Sequence, residues 1–202
     1  MTSRERILQA VRAHRGELRP LPELPAVAAL PDDAVSRFTA IIEEVGGEAV
    51  LASESGVAAL IRARHPASAT VLSMVAEYPH STSTLSHDAP LEALEGIDLV
   101  VLRGALGVVE NGAIWLAEEA MPHRALPFVA AHLVLLLRAD QLVADMHGAY
   151  AALALERDAS GFGVFVSGPS KTADIERALV IGAQGPRSLL VVVILPNLSS
   201  RA

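Results

Sequence analysis

Residues 189–195 read LLVVVIL, an apolar run with no polar side chain inside it. Successive side chains of a strand point to opposite faces, so such a run leaves neither face fit for water. Two further stretches, LVVL at the end of IDLVVL (97–102) and LVLLL within HLVLLLR (132–138), have the same character. Strands of this kind belong to a mostly parallel sheet with helices on both faces, and the expected architecture is a three-layer α/β/α fold. Apolar residues make up 51% of the chain and aromatics only 3%, so the core must be built from Ala, Val, Leu and Ile.

Start and stop signals divide the remainder. Thr2 with Glu5 has the pattern of a capping box, and Ile7, Leu8 and Val11 follow at helical spacing, which predicts a first helix over 3–14. Residues 16–31 carry four prolines and read as an extended arm. The organisation expected is therefore a helix and arm at 1–31 and one α/β domain at 32–202. Within that domain a helix runs from Asp32 to the Gly46–Gly47 stop, and strands at 48–52, 69–74 and 97–102 alternate with a helix over 54–65. The polar stretch 78–90, which holds His80 and His87, reads as an exposed loop or lid. A helix is expected from Asp140 to Glu156, carrying His147 and packing through Leu142, Val143 and Met146. The closing unit reads strand 162–167, helix 173–183, strand 188–195, a right-handed βαβ crossover.

Several function classes are disfavoured. With no cysteine, the chain has no thiolate nucleophile and no thiolates of its own for an iron–sulfur cluster. A net charge of −7 lacks the clustered Lys and Arg that nucleic-acid binding requires. No apolar run is long enough to span a bilayer, and the N-terminus is charged rather than signal-like, so a cytoplasmic location is expected. The histidines show no HExxH or similar metal spacing, and no GxGxxG fingerprint occurs.

Lys171 is the only lysine, and it lies in SGPSKT at 167–172, between a strand and the expected helix. Loops at the carboxyl ends of strands are where open α/β sheets bind ligands. Gly168 gives the turn its freedom, Ser170 or Thr172 can cap the helix, and free amides with Lys171 would cradle a carboxylate or phosphate. The spacing is not that of a Walker A loop. The bland alternative is a capped helix with an exposed lysine, Asp174 and Glu176 simply complementing its N-terminus.

The segment GPSKTADIERALVIGAQGPRSLLVVVI, 168–194, resembles the C-terminal signature of the LUD-domain family, the lactate-utilisation protein C (LutC/YkgG, DUF162) group. GVVENGAIWL at 107–116 and PHRALPFVAAHLVLLLRADQLV at 122–143 resemble two more of its segments. The resemblance implies a NagB/RpiA/CoA-transferase-like fold and a part in oxidising L-lactate to pyruvate beside iron–sulfur partner proteins. With the loop reading above, a small anionic ligand is expected near Ser167, Gly168, Ser170, Lys171, Thr172 and Asp174 and at Glu110 to Gly112, with Arg124 a further candidate. Lys171 stands where the family commonly has Arg, Asn111 and Ala113 where Thr is usual, and Gln184 where His is usual.

The triplet Glu110-Asn111-Gly112 also resembles the nucleophile motif of one class of CoA transferases, in which the carboxylate attacks an acyl-CoA. Asn-Gly equally makes a two-residue hairpin turn between 105–109 and 113–118, and the two readings are compatible. Arg124 and His132 have either an anion-binding or proton-transfer role, or serve as an ion-pair partner and a strand-edge histidine. The functional alternatives to the lactate reading are a stand-alone CoA-transferase-like or sugar-phosphate-isomerase-like enzyme, and a non-catalytic assembly subunit.

Overall fold

A computed structural model describes residues 1–16, 20, 22–23, 25–86, 88–155, 162–173 and 178–196. Helix α1 spans Ser3–Ala13 behind the expected capping box, Thr2 accepting from the Glu5 amide and Glu5 accepting from the Thr2 amide at 2.7 Å. It buries no residue, and Ile7 and Val11 are each 63% exposed. Helix α2, Ala34–Glu44, turns Ala34, Phe38 and Ile42 inward at a four-residue spacing. Its end is a Schellman turn: Gly46 at φ +81 donates to Glu43, and Gly47 donates to Ile42.

Strand β1 (Glu48–Ala52) leads through a 3-10 turn into α3 (Val57–Arg64), then β2 (Val71–Ser73), β3 (Leu99–Arg103), β4 (Leu106–Val108) and β5 (Ile114–Ala117). The short α4 (Leu126–Val129) precedes β6 (His132–Arg138) and β7 (Leu142–Val143). Helix α5 (Met146–Leu155), β8 (Gly163–Val166), β9 (Lys171–Thr172), β10 (Val180–Ile181) and β11 (Ser188–Ile194) complete the order.

The apolar runs form one sheet, in the order β1-β11-β6-β3-β2, with every neighbouring pair parallel. Its two faces divide these strands residue by residue. Val100, Leu102, Leu133, Leu135, Leu137, Leu189, Val191 and Val193 pack toward α2, whereas Leu99, Val101, Val134, Leu136, Leu190 and Val192 pack toward Val57 and Ile61 of α3. The expected α/β fold, with a mostly parallel central sheet flanked by helices, is thus what the chain adopts.

A second sheet, β7-β4-β5-β8, was not expected. Ile114, Leu116 and Leu142 share the α2-side core, and the opposite face, with Leu106 and Val108, packs on Ala149 of α5. Three readings change as a result. The helix expected from Asp140 begins only at Met146, because Arg138 grips Asp140 in a 3-10 turn, Leu142–Val143 is strand, and Asp145 supplies the cap to the Gly148 amide at 2.7 Å. The helix expected over 173–183 is not present at the described residues 178–183, where Val180 and Ile181 pair antiparallel with Thr172 and Lys171. Leu179 and Ile181 are both exposed, so the apolar residues there follow a strand period instead of lining a helix face. The closing unit is therefore not a βαβ crossover, since β8 lies antiparallel on β5 in the second sheet while β11 lies in the first.

The polar loop 78–90 has a structural duty along the open edge of β2. Val71 donates to Thr82 Oγ1 at 2.8 Å, Ser73 to Ser81 Oγ at 2.8 Å, and Thr82 N returns a bond to Val71 O at 2.9 Å. Hydroxyls here occupy donors that another strand would otherwise pair with. His87 lies outside the described residues.

Candidate functional site

Residues 110–112 and 167–171, more than fifty positions apart, meet over the C-terminal end of α2. Pairing of β5 with β8 sets Ile114 opposite Val166, so the loops beyond them lie side by side, and Ser167 Oγ donates to Asn111 O at 2.8 Å. Gly112, at φ +66, packs on α2, where an added Cβ would come 3.1 Å from Ile41. Gly168, at φ +75, leaves no room for one: it would lie 2.4 Å from Val45 O. Lys171 is exposed and lies against Gly46, its Nζ 3.2 Å from where a Cβ of Gly46 would sit. The ammonium thus stands at a helix C-terminus, which favours a cation, and makes no ion pair among the described residues.

Between β4 and β5 the turn is a four-residue loop, 109–112, and not the expected two-residue turn. Gly112 N donates to Val108 O and Asn111 Oδ1 accepts from Ala113 N at 3.0 Å, both inside the Val108–Ala113 closure. Glu110 is exposed, and its Oε2 accepts from Met146 N at 3.1 Å, at the first turn of α5. The same residue lines a cavity of about 530 Å³ between the arm, α2 and Ala144.

The amide cradle expected at a helix N-terminus takes a different form. Ser170 N is bonded to Pro186 O at 2.9 Å, and its carbonyl accepts from Gly182 N at 2.9 Å, while Lys171 and Thr172 run into β9. The exposed cation on this surface is the Lys171 ammonium, while the Ser167 hydroxyl donates to Asn111 O and the Glu110 carboxylate accepts from Met146 N. Asp174 lies outside the described residues, as does Glu176. Arg124 is not part of the cluster's bonding. It pairs with the buried Glu118 at 2.5 Å and stacks over Phe162 at 4.3 Å.

A second concavity, of about 500 Å³, opens at the amino edge of the parallel sheet. Ser188↔His132 pairing in register sets the first residues of β11 and β6 side by side, with Nδ1 of His132 2.8 Å from Ser188 Oγ. His65, which caps α3, brings its ring to 5.2 Å from that of His132. Burial is the main cause that lowers the His65 pKa. The His132 and Arg64 charges add to it, and Glu48 opposes. Asp98 accepts from the amides of Thr70 and Ala69 at 2.9 and 2.8 Å, which hold its carboxyl below the usual range. His132 stood out in the sequence. His65, Asp98, Arg187 and Ser188 did not, because strand starts are legible but the order of strands in the sheet is not.

Among the described residues, no group of three or more His, Asp or Glu is arranged to hold a metal. No helix among them is long and apolar enough to cross a membrane.

The family model described as the LUD domain matches residues 91–194. An uncharacterized protein of Neisseria meningitidis serogroup B is 32% identical over 107 residues, 52% of this chain. That stretch spans 46% of the relative's own length. A DUF162 family protein from Deinococcus radiodurans, known from a crystal structure at 1.70 Å resolution, superposes with a TM-score of 0.59 at 22% identity. The alignment covers 80% of this chain and 96% of that one, a likeness that speaks to the fold.

Proposed function

Because the chain belongs to the LUD domain family, we propose that it is a lactate-utilisation component of the protein C type, acting in the cytoplasm with iron–sulfur partner proteins in the oxidation of L-lactate to pyruvate. Two electrons and two protons leave lactate in that reaction. With no cysteine to hold a cluster, the chain leaves electron transfer to its partners and contributes the binding of a small anion. Residues 1–31 are then an appendage to a LUD unit of residues 32–202, and the fully exposed α1 suits that role.

The observation that carries the reading is the junction of 110–112 with 167–171, sealed by the bond from Ser167 Oγ to Asn111 O. It joins two of the three segments that resemble the family and leaves the chain's only lysine exposed beside them. A carboxylate at Lys171 gains a charge-assisted bond, with Ser167, Gly168, Ser170 and Thr172 setting the surface around it and Gly112 letting the neighbouring loop pack closely on α2.

Deletion of the gene tests the reading. Growth on L-lactate as sole carbon source should fail and be restored by the intact gene, and the tagged protein should bring down cluster-bearing proteins. Normal growth on lactate after deletion would overturn it.

A second reading, acyl transfer from CoA onto Glu110, is favoured by an exposed carboxylate beside a cavity of about 530 Å³. Attack of the Glu110 oxygen on the thioester carbonyl forms a mixed anhydride and expels CoA as its thiolate. A mass increase on Glu110 after incubation with acyl-CoA would support it, and an unmodified Glu110 would leave that residue as the cap of α5.

A further inference from the structure

We propose that the cavity at the amino edge of the parallel sheet is a separate binding site, for a compact oxyanion taken up together with a proton. The site borders the surface of 110–112 and 167–171 at Gly46, which lines the cavity and packs against Lys171, but the donors it uses are other residues. Its volume, about 500 Å³, accommodates a small carboxylic acid or a phosphate with room for water.

The donors are already assembled. Arg187, just ahead of β11, lines the cavity, is exposed, and forms no ion pair among the described residues. Ser188 follows it, its hydroxyl 2.8 Å from Nδ1 of His132, a contact that orients the ring and leaves Nε2 as its second nitrogen. His65 faces the same space from the end of α3, the two rings tilted 46° at a 5.2 Å separation. A carboxylate or phosphoryl oxygen between two imidazoles and a guanidinium meets donors from three separate elements.

The charges on the wall account for the proton. From β1 and α3, Glu48 and Arg64 pair with each other at 2.6 Å and cancel. Ahead of β3 and β11, Asp98 and Arg187 contribute one charge of each sign. With both imidazoles neutral the wall is therefore neutral overall, and burial together with the neighbouring ring works against protonating His65. An entering anion supplies the missing opposite charge, raises the His65 pKa and draws a proton from solution. Affinity then falls as pH rises, approaching tenfold per pH unit above the pKa of the free site.

Calorimetric titration of inorganic phosphate, and separately of pyruvate, at pH 6, 7 and 8 tests this. Two buffers of different ionisation heat count the protons. At least one anion should bind more tightly at pH 6, with close to one proton taken up per anion near pH 7. His65→Gln should abolish the uptake, Arg187→Ala should weaken binding at least about tenfold at each pH, and Lys171→Ala should leave the proton uptake in place. Unliganded melting curves of the variants show whether they are folded. Should His65→Gln unfold, the histidine signals of the intact protein in NMR titrations give the same answer, with the His65 pKa expected to rise on anion addition. Binding without proton uptake, proton uptake unaltered in His65→Gln, or no binding of either anion at pH 6 would overturn the proposal. Because the proton uptake reads His65 and the affinity loss in Lys171→Ala reads the other surface, the two sites can fail separately.

Discussion

Gly168→Ala should destabilise the protein by an amount that can be separated into two physical causes. At φ +75 the backbone of Gly168 is left-handed, which costs a residue with a Cβ about 1–2 kcal/mol. The added Cβ would also lie 2.4 Å from Val45 O, a backbone atom at the end of α2 that cannot retreat without disturbing the Schellman turn. Relieving such an overlap in a packed region costs about 1–3 kcal/mol more. Gly96 provides the control, because its φ of +73 is nearly the same and nothing stands within 4 Å of its would-be Cβ. Urea denaturation should therefore show a loss of about 1–2 kcal/mol for Gly96→Ala and about 2–5 kcal/mol for Gly168→Ala. For a chain of this length the larger loss lowers the melting temperature by on the order of 10 °C. Equal losses in the two variants would refute the contact between the 167–171 loop and α2 on which the candidate surface is built.

Leu135→Ala, in the centre of β6 with no exposed surface, should cost about 2–5 kcal/mol in the same assay, and a loss below about 1 kcal/mol would place that strand outside the core. Thr82→Val removes the acceptor for the Val71 amide and should cost about 1–2 kcal/mol while promoting association through the bared edge of β2, measured by light scattering. Unchanged stability and scattering would contradict the role given to loop 78–90. Stability should also fall in acid. Burial alone would raise the Glu77 pKa, but the Arg103 hydrogen bond, its own amide and the Arg103 charge outweigh it, and the amides of Thr70 and Ala69 lower that of Asp98. Depressed carboxyls stabilise the fold above their unfolded pKa, about 4, so the urea midpoint should drop as pH falls below that value, and a flat midpoint down to pH 3 would contradict it. His65 acts in a higher window. Its lowered pKa means the unfolded chain binds more protons, so in phosphate-free buffer stability should rise with pH up to about 6.5 and level off, a rise that His65→Gln removes.

What was legible in the sequence was whatever carries a period or a strong terminal signal. LLVVVIL and HLVLLLR became adjacent central strands, EAVLA is β1 from end to end, and Gly46–Gly47 stops α2 as written. The second sheet was hidden because β7 has two residues and β4 three, too few to display alternation. ALVIG at 178–182 reads as part of a helix until Gly182, at φ +75, donates back to Ser170 O and closes a strand pair. For the candidate site, the sequence pointed to Glu110, Gly112, Ser167, Gly168 and Lys171; the fold brings their two segments together through Ser167 and Asn111, with Gly112 buried on α2 and Glu110 turned to Met146. Arg124 was drawn off by Glu118, a partner six residues away that no spacing rule singles out. The amino-edge cavity depended on strand order, which places Ser188 beside His132 across 56 positions of sequence.

Titration of L-lactate and pyruvate into the wild-type protein and into Lys171→Ala at pH 7 bears most directly on the proposed role. Wild type should bind one of these anions, and the variant, equally folded by its melting curve, should bind it more weakly by about 1.5–3 kcal/mol, the worth of one charge-assisted bond. No binding by the wild type, or the same affinity in both, would contradict a small-anion role for the surface where residues 110–112 meet 167–171.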